Sequence, residues 1–183
     1  ITFMTSWYAQ AEHGGFYQAL AKGLYKKHGL DVTIKMGGPQ VNGMQLMMAG
    51  QADMHMGYDF QVLKSLEQGL TPVTVATSFQ HDLQGLLVHE DVKSLGDLKG
   101  KTILVATAGR SSWWPWMRQR YGYAEEQVRP YTFNLQPFLA DKNLAQQAYM
   151  SSEPFQAEKA GVKARFFLFA RDREPTFRES VIW

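Results

Sequence analysis

Apolar positions in the first eighty residues switch repeatedly between the spacing of a strand and the spacing of a helix. Ile1, Phe3 and Met4 form a short apolar run, and Phe16, Leu20 and Leu24 then recur four residues apart, the spacing of one helix face. The pattern predicts helices over residues 15–28, 41–49 and 58–68, and strands over residues 1–4, 32–36, 53–57 and 72–79. Four strands alternating with three helices favour a parallel sheet, because each parallel crossover needs a covering helix.

Two details of this pattern can be checked directly in a structure. The helix over residues 58–68 is expected to bury Phe60, Leu63 and Leu66, and the strand over residues 72–79 is expected to be buried. The methionines near these elements are expected to fill the core rather than bind a ligand; they are Met44, Met47, Met48, Met54 and Met56.

The second half repeats the alternation of strands and helices without a detectable repeat in sequence. Residues 83–89 are predicted to be a strand that crosses between two lobes, and residues 91–101 are polar and rich in turn formers. Further strands are predicted over residues 102–107, 129–133, 148–150 and 164–169, with helices opening near Ser112 and over residues 152–160. Residues 171–183 follow neither period, which predicts a surface tail or a weak helix. The predicted domains are lobe I (1–83), a crossing strand (84–90), lobe II (91–170) and an atypical tail (171–183).

Composition narrows the function classes. The 183 residues are 45% hydrophobic and 20% charged, the balance of a soluble globular protein. A net charge of +2 gives no argument for a nucleic-acid partner, and no apolar run approaches the roughly 20 residues of a membrane helix. The chain has no cysteine, which excludes disulfides, thiolate nucleophiles and cysteine-ligated zinc. Its histidines lack metal-ligand spacing, so we expect neither a metal nor a cofactor.

Candidate ligand contacts in the first half follow predicted strands, because ligands of parallel sheets bind outside the carboxyl ends of the strands. Trp7 could stack on a planar ring or pack in the core. Asp59 could cap its helix or accept a hydrogen bond from a ligand amine. The first-half candidates are Trp7, His13, Tyr58, Asp59, Phe79 and Gln80.

Candidates in the second half also follow predicted strands, and we expect them to form the opposite wall of a ligand cleft. The turn over residues 108–112 leads into a predicted helix whose free N–H groups suit an anion, with Ser111 or Ser112 as an ordinary helix cap in the alternative. Residues 113–121 are rich in aromatic side chains, and one of them, Trp113, is expected to line the cleft. Glu153 begins a predicted helix, where the helix dipole also favours a carboxylate. The second-half candidates are Ala108, Gly109, Ser111, Trp113, Tyr149 and Glu153.

Several short motifs, in this order and spacing, resemble the type II substrate-binding proteins of ABC importers. They are Gly50-Gln51-Ala52-Asp53 with Gly57, and Ser94-Leu95-Gly96-Asp97-Leu98-Lys99-Gly100-Lys101-Thr102. A second set is similar to the branch that binds thiamine-pyrimidine precursors, riboflavin and sulfonates: Trp7, His13-Gly14-Gly15-Phe16-Tyr17, Ala19, Gly23 and Tyr149-Met150-Ser151-Ser152-Glu153-Pro154.

The resemblance, which ends at Ala170, implies a two-lobed α/β fold of the periplasmic-binding-protein type, incomplete at the C-terminus because family members continue further. It also implies an exported protein, without its signal peptide here, that hands a ligand to a membrane permease. The leading hypothesis is a non-catalytic binder of a thiamine-pyrimidine precursor, with Glu153 contacting the ligand ring as an acidic residue does in that branch. The uncovered surface of lobe I is expected to favour self-association.

Three alternatives remain open from the sequence. An alkanesulfonate or taurine binder would need a cation such as Arg110 pointing into the cleft. A relative of thiamine-pyrimidine synthase would be an enzyme, but the cysteine-rich motif that carries that chemistry is absent. A truncated, nonfunctional fragment is the third alternative.

Overall fold

Two five-stranded sheets organise the chain in a computed structural model that describes residues 1–171 and 179–182. The strands are β1 (Thr2–Met4), β2 (Thr33–Lys35), β3 (Met54–Tyr58), β4 (Thr74–Thr77), β5 (Gln84–His89), β6 (Thr102–Val105), β7 (Val128–Pro130), β8 (Leu144–Tyr149), β9 (Ala164–Leu168) and β10 (Glu179–Ile182). The helices are α1 (Gly14–Ala21), α2 (Leu24–Lys27), α3 (Gly43–Met48), α4 (Asp59–Glu67), α5 (Thr107–Ser111), α6 (Trp114–Tyr121), α7 (Gln136–Ala140) and α8 (Glu153–Lys159).

The first unit comprises Ile1–Gln80 together with β10, and the second unit begins at His81. The first unit contains sheet A, with the strand order β2-β1-β3-β10-β4. Strands β2, β1 and β3 run parallel, whereas β10 is antiparallel to both β3 and β4. Strands β3 and β4 therefore run in the same direction, as the alternation of strands and helices predicts.

The second unit contains sheet B, with the strand order β7-β6-β8-β5-β9. Strands β7, β6 and β8 are parallel, and β5 is antiparallel to its two neighbours, β8 and β9. The expected α/β class is confirmed, with antiparallel strands added to two parallel sets.

Methionines fill much of the core of the first unit. One cluster joins Met4, Met44, Met47 and Ala52, and a second joins Phe3 and Met56 beneath half-buried neighbours that include Phe16. The predicted packing role of Met44, Met47 and Met56 is confirmed, whereas Met48 is exposed.

The first predicted helix is divided in two. Gly23 adopts the left-handed backbone conformation (φ 66°) between α1 and α2, which a residue without a Cβ tolerates at no cost. The apolar spacing continues across this break, and for that reason the pattern did not reveal it.

Helix α4 is rotated relative to the prediction. Leu63 and Leu66 are 57% and 49% exposed, whereas Gln61 and Ser65 are buried. Gln61 Oε1 accepts the Tyr58 N–H, and the Ser65 hydroxyl donates to the Gln61 carbonyl. Hydrogen bonds to the buried polar side chains replace the expected apolar contacts, so the predicted burial of Leu63 and Leu66 was wrong.

Strand β4 is also exposed along its whole length, although a buried strand was predicted. It lies at the edge of sheet A beside β10. The apolar sequence predicted burial, but it does not show whether a strand lies at the centre or at the edge of a sheet. At the edge, the side chains of β4 remain exposed to solvent.

The C-terminal residues differ most from the prediction of a tail. Backbone groups of β10 pair on one side with β3 and on the other with β4, with Ser180 opposite Gly57 and Thr77. A four-residue strand carries too few positions to show a period of two, and the prediction of a tail or weak helix was wrong for these residues. The charged residues at the start of the predicted tail, Asp172, Arg173 and Glu174, lie outside the described residues.

Within the described ranges, no helix combines the length and the apolarity that a membrane span requires.

Candidate functional site

The carboxyl edge of sheet A collects the candidates of the first half of the chain. Strands β1, β3 and β4 run in the same direction and end before Trp7, Asp59 and Phe79 respectively. All three side chains are half-buried, and Gln80 beside Phe79 is exposed. This edge therefore presents two aromatic rings and one carboxylate at the place where ligands of parallel sheets bind.

Hydrogen bonds fix the turn that carries Trp7. The Thr5 hydroxyl donates to the Trp7 carbonyl at 2.7 Å and accepts the Gly37 N–H at 3.3 Å. The indole of Trp7 lies edge-on to the ring of Tyr8, with 6.1 Å between the centroids. The Thr5 hydroxyl thus links the backbone of Trp7 to that of Gly37 at the end of β1.

His13 lies inside the first unit. Its side chain is buried, and its Nε2 is 3.1 Å from the Ser6 hydroxyl. Burial lowers the pKa of the imidazole, and the negative charge of neighbouring Glu12 offsets part of this effect. The Nδ1 atom is also buried and makes no hydrogen bond within the described residues, so in this conformation His13 supports the turn from within.

Asp59 is the first residue of α4, and Tyr58 precedes the helix as its cap residue. Asp59 Oδ1 accepts the N–H of Phe60 at 2.8 Å, which satisfies one donor of the first turn. Asp59 is half-buried, whereas the ring of Tyr58 is buried. Of the two, Asp59 has the side chain that is open to solvent.

The carboxyl edge of sheet B centres on Glu153. Its carboxylate is 4% exposed and accepts two hydrogen bonds, from the Tyr131 hydroxyl at 2.6 Å and from the Tyr149 N–H at 2.8 Å. Tyr131 directly follows β7, and Tyr149 ends β8. Burial and the neighbouring carboxylate raise the pKa of Tyr131, so this phenol stays protonated and donates to Glu153.

Trp113 packs inside the second unit. Its indole is 1% exposed and lies 5.0 Å from the ring of Phe169, measured between centroids. A Cβ on Gly109 would lie 2.8 Å from Trp113 Nε1 and 3.0 Å from Gln147 Oε1. Gly109 therefore admits the indole and the amide to one tightly packed corner, and the indole does not line a surface in this conformation.

Most of the turn predicted over residues 108–112 is itself helical, whereas the helix expected to open near Ser112 is α6, which begins at Trp114. Helix α5 begins at Thr107, and the hydroxyls of Ser111 and Ser112 donate backwards to the Ala108 carbonyl at 3.1 and 2.8 Å. Neither serine caps a helix N-terminus. Ala108 and Ser111 are half-buried.

Arg110 is held on the surface by Glu125. Its Nη2 atom lies 2.6 Å from Glu125 Oε1, while Arg118 and the Trp114 indole reach Oε2 at 3.0 and 3.1 Å. The pKa of Glu125 is lowered, mainly by the hydrogen bond from Trp114. An arginine engaged in this way does not offer its charge to an anion.

Two residues of the sheet B edge were missed by sequence reasoning. Tyr131 directly follows β7 in the structure, but it lies in the middle of the strand predicted over residues 129–133, so no sequence signal indicated that a strand ends there. Gln147 accepts the Ala106 N–H at 2.7 Å, and its only signal is a pair of glutamines in an otherwise apolar strand. In the described part of the chain, no group of three or more acidic, histidine or cysteine side chains could hold a metal.

The sequence of the chain is similar to a known family and to two named relatives. The profile of the family described as "NMT1/THI5 like" matches residues 10–183. The expectation that the resemblance ends at Ala170 was therefore wrong. A Haemophilus influenzae protein named for thiamine biosynthesis is 29% identical over 111 residues, which cover 60% of this chain and 35% of that protein. A formylaminopyrimidine-binding protein of Halalkalibacterium halodurans is 29% identical over 105 residues, which cover 56% and 32%. The matches thus span about a third of the length of these relatives.

Solved structures share the fold at low identity. A Bordetella bronchiseptica structure superposes with a TM-score of 0.78 at 15% identity, over 100% of this chain and 63% of that one. The periplasmic aliphatic sulphonate-binding protein of Escherichia coli gives a TM-score of 0.62 at 14% identity, over 99% and 59%. The similarity establishes a fold of the periplasmic-binding-protein type.

Proposed function

Because the chain belongs to the NMT1/THI5-like family, we propose that it is part of a solute-binding protein that takes up a small planar nitrogen heterocycle of the thiamine-pyrimidine class. The observation that carries the proposal is the carboxyl edge of sheet A, where Trp7, Asp59 and Phe79 each follow one of the strands β1, β3 and β4. Aromatic faces suit a flat ring, and a carboxylate accepts hydrogen bonds from an amino group. The formylaminopyrimidine-binding relative supports the same ligand class.

The edge of sheet B supplies a second candidate contact. Tyr131 and Tyr149 hold the Glu153 carboxylate in one orientation, so it accepts a ligand N–H without losing side-chain freedom on binding. Because Glu153 is buried, this role requires the ligand to reach a carboxylate that the unit now covers. Of the two edges, that of sheet A is the more accessible.

Binding without catalysis fits the available groups. The chain has no cysteine for covalent chemistry, and the described edges require only stacking and hydrogen bonding. As part of an importer, the protein would be exported and would present its ligand to a membrane permease, as the periplasmic location of the sulphonate-binding structure suggests.

An alkanesulfonate ligand is the second candidate and rests on the fold of the sulphonate-binding structure. It needs a cation at the site, and Arg110 is engaged by Glu125 on the surface. The pyrimidine class is therefore favoured.

Calorimetric titration of this chain tests the proposal. We expect the aminopyrimidine half of thiamine and its N-formyl derivative to bind, and taurine not to bind. Trp7→Ala should weaken pyrimidine binding at least tenfold through loss of stacking, whereas Phe155→Ala, in the second unit, should leave it unchanged. A folded chain that binds neither pyrimidine would overturn this ligand class.

Self-association is the second partner that we propose. Leu63, Leu66, Val73 and Val75 of the first unit are exposed, and no charged residue occurs from Gln68 to Gln80. Strand β4 is an uncharged edge strand, and two such edges pair readily with one another. We propose that a second copy of the chain pairs with this edge.

A further inference from the structure

A groove in the second unit lies between α8 and β9. Its volume is about 520 Å³ and it is open to solvent, within the size range of sites that hold a small ligand or a few side chains. The residues that line it are Leu87, Pro154, Phe155, Glu158, Gly161, Val162, Lys163, Ala164 and Phe166.

One wall of the groove is an edge strand. β9 is the last strand of sheet B and pairs with β5 alone among the described strands. Alternate N–H and C=O groups of an edge strand point away from the sheet. A groove bounded by an edge strand and a helix is the arrangement in which domains bind a peptide as an added strand.

The floor of the groove is apolar. Leu87 and Phe166 lie opposite one another in the β5–β9 pair, and Phe155 of α8 lines the same groove with 66% of its surface exposed. An added strand would direct every second side chain towards the groove. Apolar residues at these positions would cover the exposed ring of Phe155.

The charges around the groove favour an acidic occupant. Lys159, Lys163 and Arg165 are exposed against one exposed carboxylate, Glu158. Within the described residues, these four side chains make no hydrogen bond or ion pair with one another or with other residues. Ala164 and Phe166 line the groove, so Arg165 points to the opposite face of the sheet by strand alternation.

We propose that this groove binds an extended peptide in which apolar and acidic residues alternate, added as a strand beside β9. The apolar side chains fill the groove, and the acidic ones lie on the face of Arg165. A second copy of β9 is disfavoured as the occupant, because the cations at its start oppose pairing of like edges.

Fluorescence anisotropy with a labelled octapeptide of alternating valine and glutamate tests the proposal on the whole chain. We expect saturable binding that weakens as salt is raised. A peptide with lysine in place of glutamate, and one with N-methyl groups on the edge that faces β9, should each bind at least tenfold more weakly. Failure of the glutamate peptide to bind overturns the proposal, and equal binding of the N-methylated peptide overturns strand addition.

Two variants locate the site without changing the core. Arg165→Glu and Phe155→Ser should each weaken the peptide at least fivefold, and Met150→Ser, at another exposed apolar position, should not. Equal binding by Arg165→Glu and the unaltered chain would contradict the proposal. The assay contains no pyrimidine, so its failure is distinguishable from failure of the proposed function.

Discussion

At the scale of single residues, buried polar groups set how the chain responds to pH. His55 is buried, and its Nδ1 lies 3.3 Å from the Met4 carbonyl. Burial lowers its pKa to about 4, against an ordinary value of 6.5. Its neutral ring is therefore compatible with the folded state, whereas the unfolded chain binds the proton more readily.

This shift predicts acid sensitivity in a defined window. Stability contributed by neutral His55 is complete above pH 6.5 and is lost as the pH falls from 6.5 towards 4, to an extent of about 3 kcal/mol. The lowered pKa of His13 acts in the same direction. Urea unfolding followed by circular dichroism at pH 7 and pH 5 measures the loss. His55→Gln should reduce it, and a replacement of the exposed His81 should not.

The Tyr131–Glu153 hydrogen bond makes a second prediction at this scale. Tyr131→Phe leaves a buried carboxylate with one donor fewer, which should lower the free energy of unfolding by about 1–3 kcal/mol. Tyr25→Phe is the matched control, because the Tyr25 hydroxyl reaches the Phe16 carbonyl only at 3.4 Å. Equal losses in the two variants would contradict a special role for the Glu153 contact.

At the scale of elements, the contact of α3 with β3 depends on one missing side chain. A Cβ on Gly43 would lie 2.1 Å from Cε1 of the His55 ring. The first turn of α3 therefore lies directly on the imidazole, and the space between them is already filled.

Two glycine variants in helices separate packing from backbone effects. Gly43→Ala should destabilise the chain by about 1–3 kcal/mol through overpacking. Gly15→Ala, where a Cβ would meet nothing within 4 Å, should stabilise α1 by about 0.5–1 kcal/mol. Thermal unfolding compares the two, and a stabilising Gly43→Ala would show that the helix can shift.

Elements were predictable from the sequence where local pattern decides them. The alternation of strands and helices and the methionine core follow from apolar spacing, and the motifs indicate the family. The break at Gly23 depends on its left-handed backbone conformation, and the rotation of α4 depends on hydrogen bonds such as that from Tyr58 to Gln61. Apolar spacing shows neither. The Tyr131–Glu153 contact joins residues 22 positions apart, and only the pairing of β7, β6 and β8 brings their edges together.

At the scale of the whole molecule, the exposed apolar side chains of the first unit should govern the association of the chain in solution. Val75 lies in the edge strand β4, and Val73 directly precedes it. Both are exposed, as are Leu63 and Leu66 of α4. We expect sedimentation velocity to show dimers or larger species. Val75→Lys should shift the chain towards monomer by placing a charge on the edge, and Met150→Lys in the second unit should not. A chain that is monomeric at all concentrations would contradict self-association.

The position of β10 has a consequence for the order of events during synthesis. Among the strands that the structure describes, β10 alone joins β4 to sheet A, and the residues of β10 leave the ribosome about 100 residues after those of β4. The chain must therefore close a long loop before β4 gains a partner, which costs entropy and delays this pairing. Pulsed hydrogen exchange during refolding should show β1 and β3 protected first, with β4 protected in step with β10. A nascent chain that lacks β10 would carry β4 as an unpaired, uncharged strand, open to chaperones and to neighbouring nascent chains.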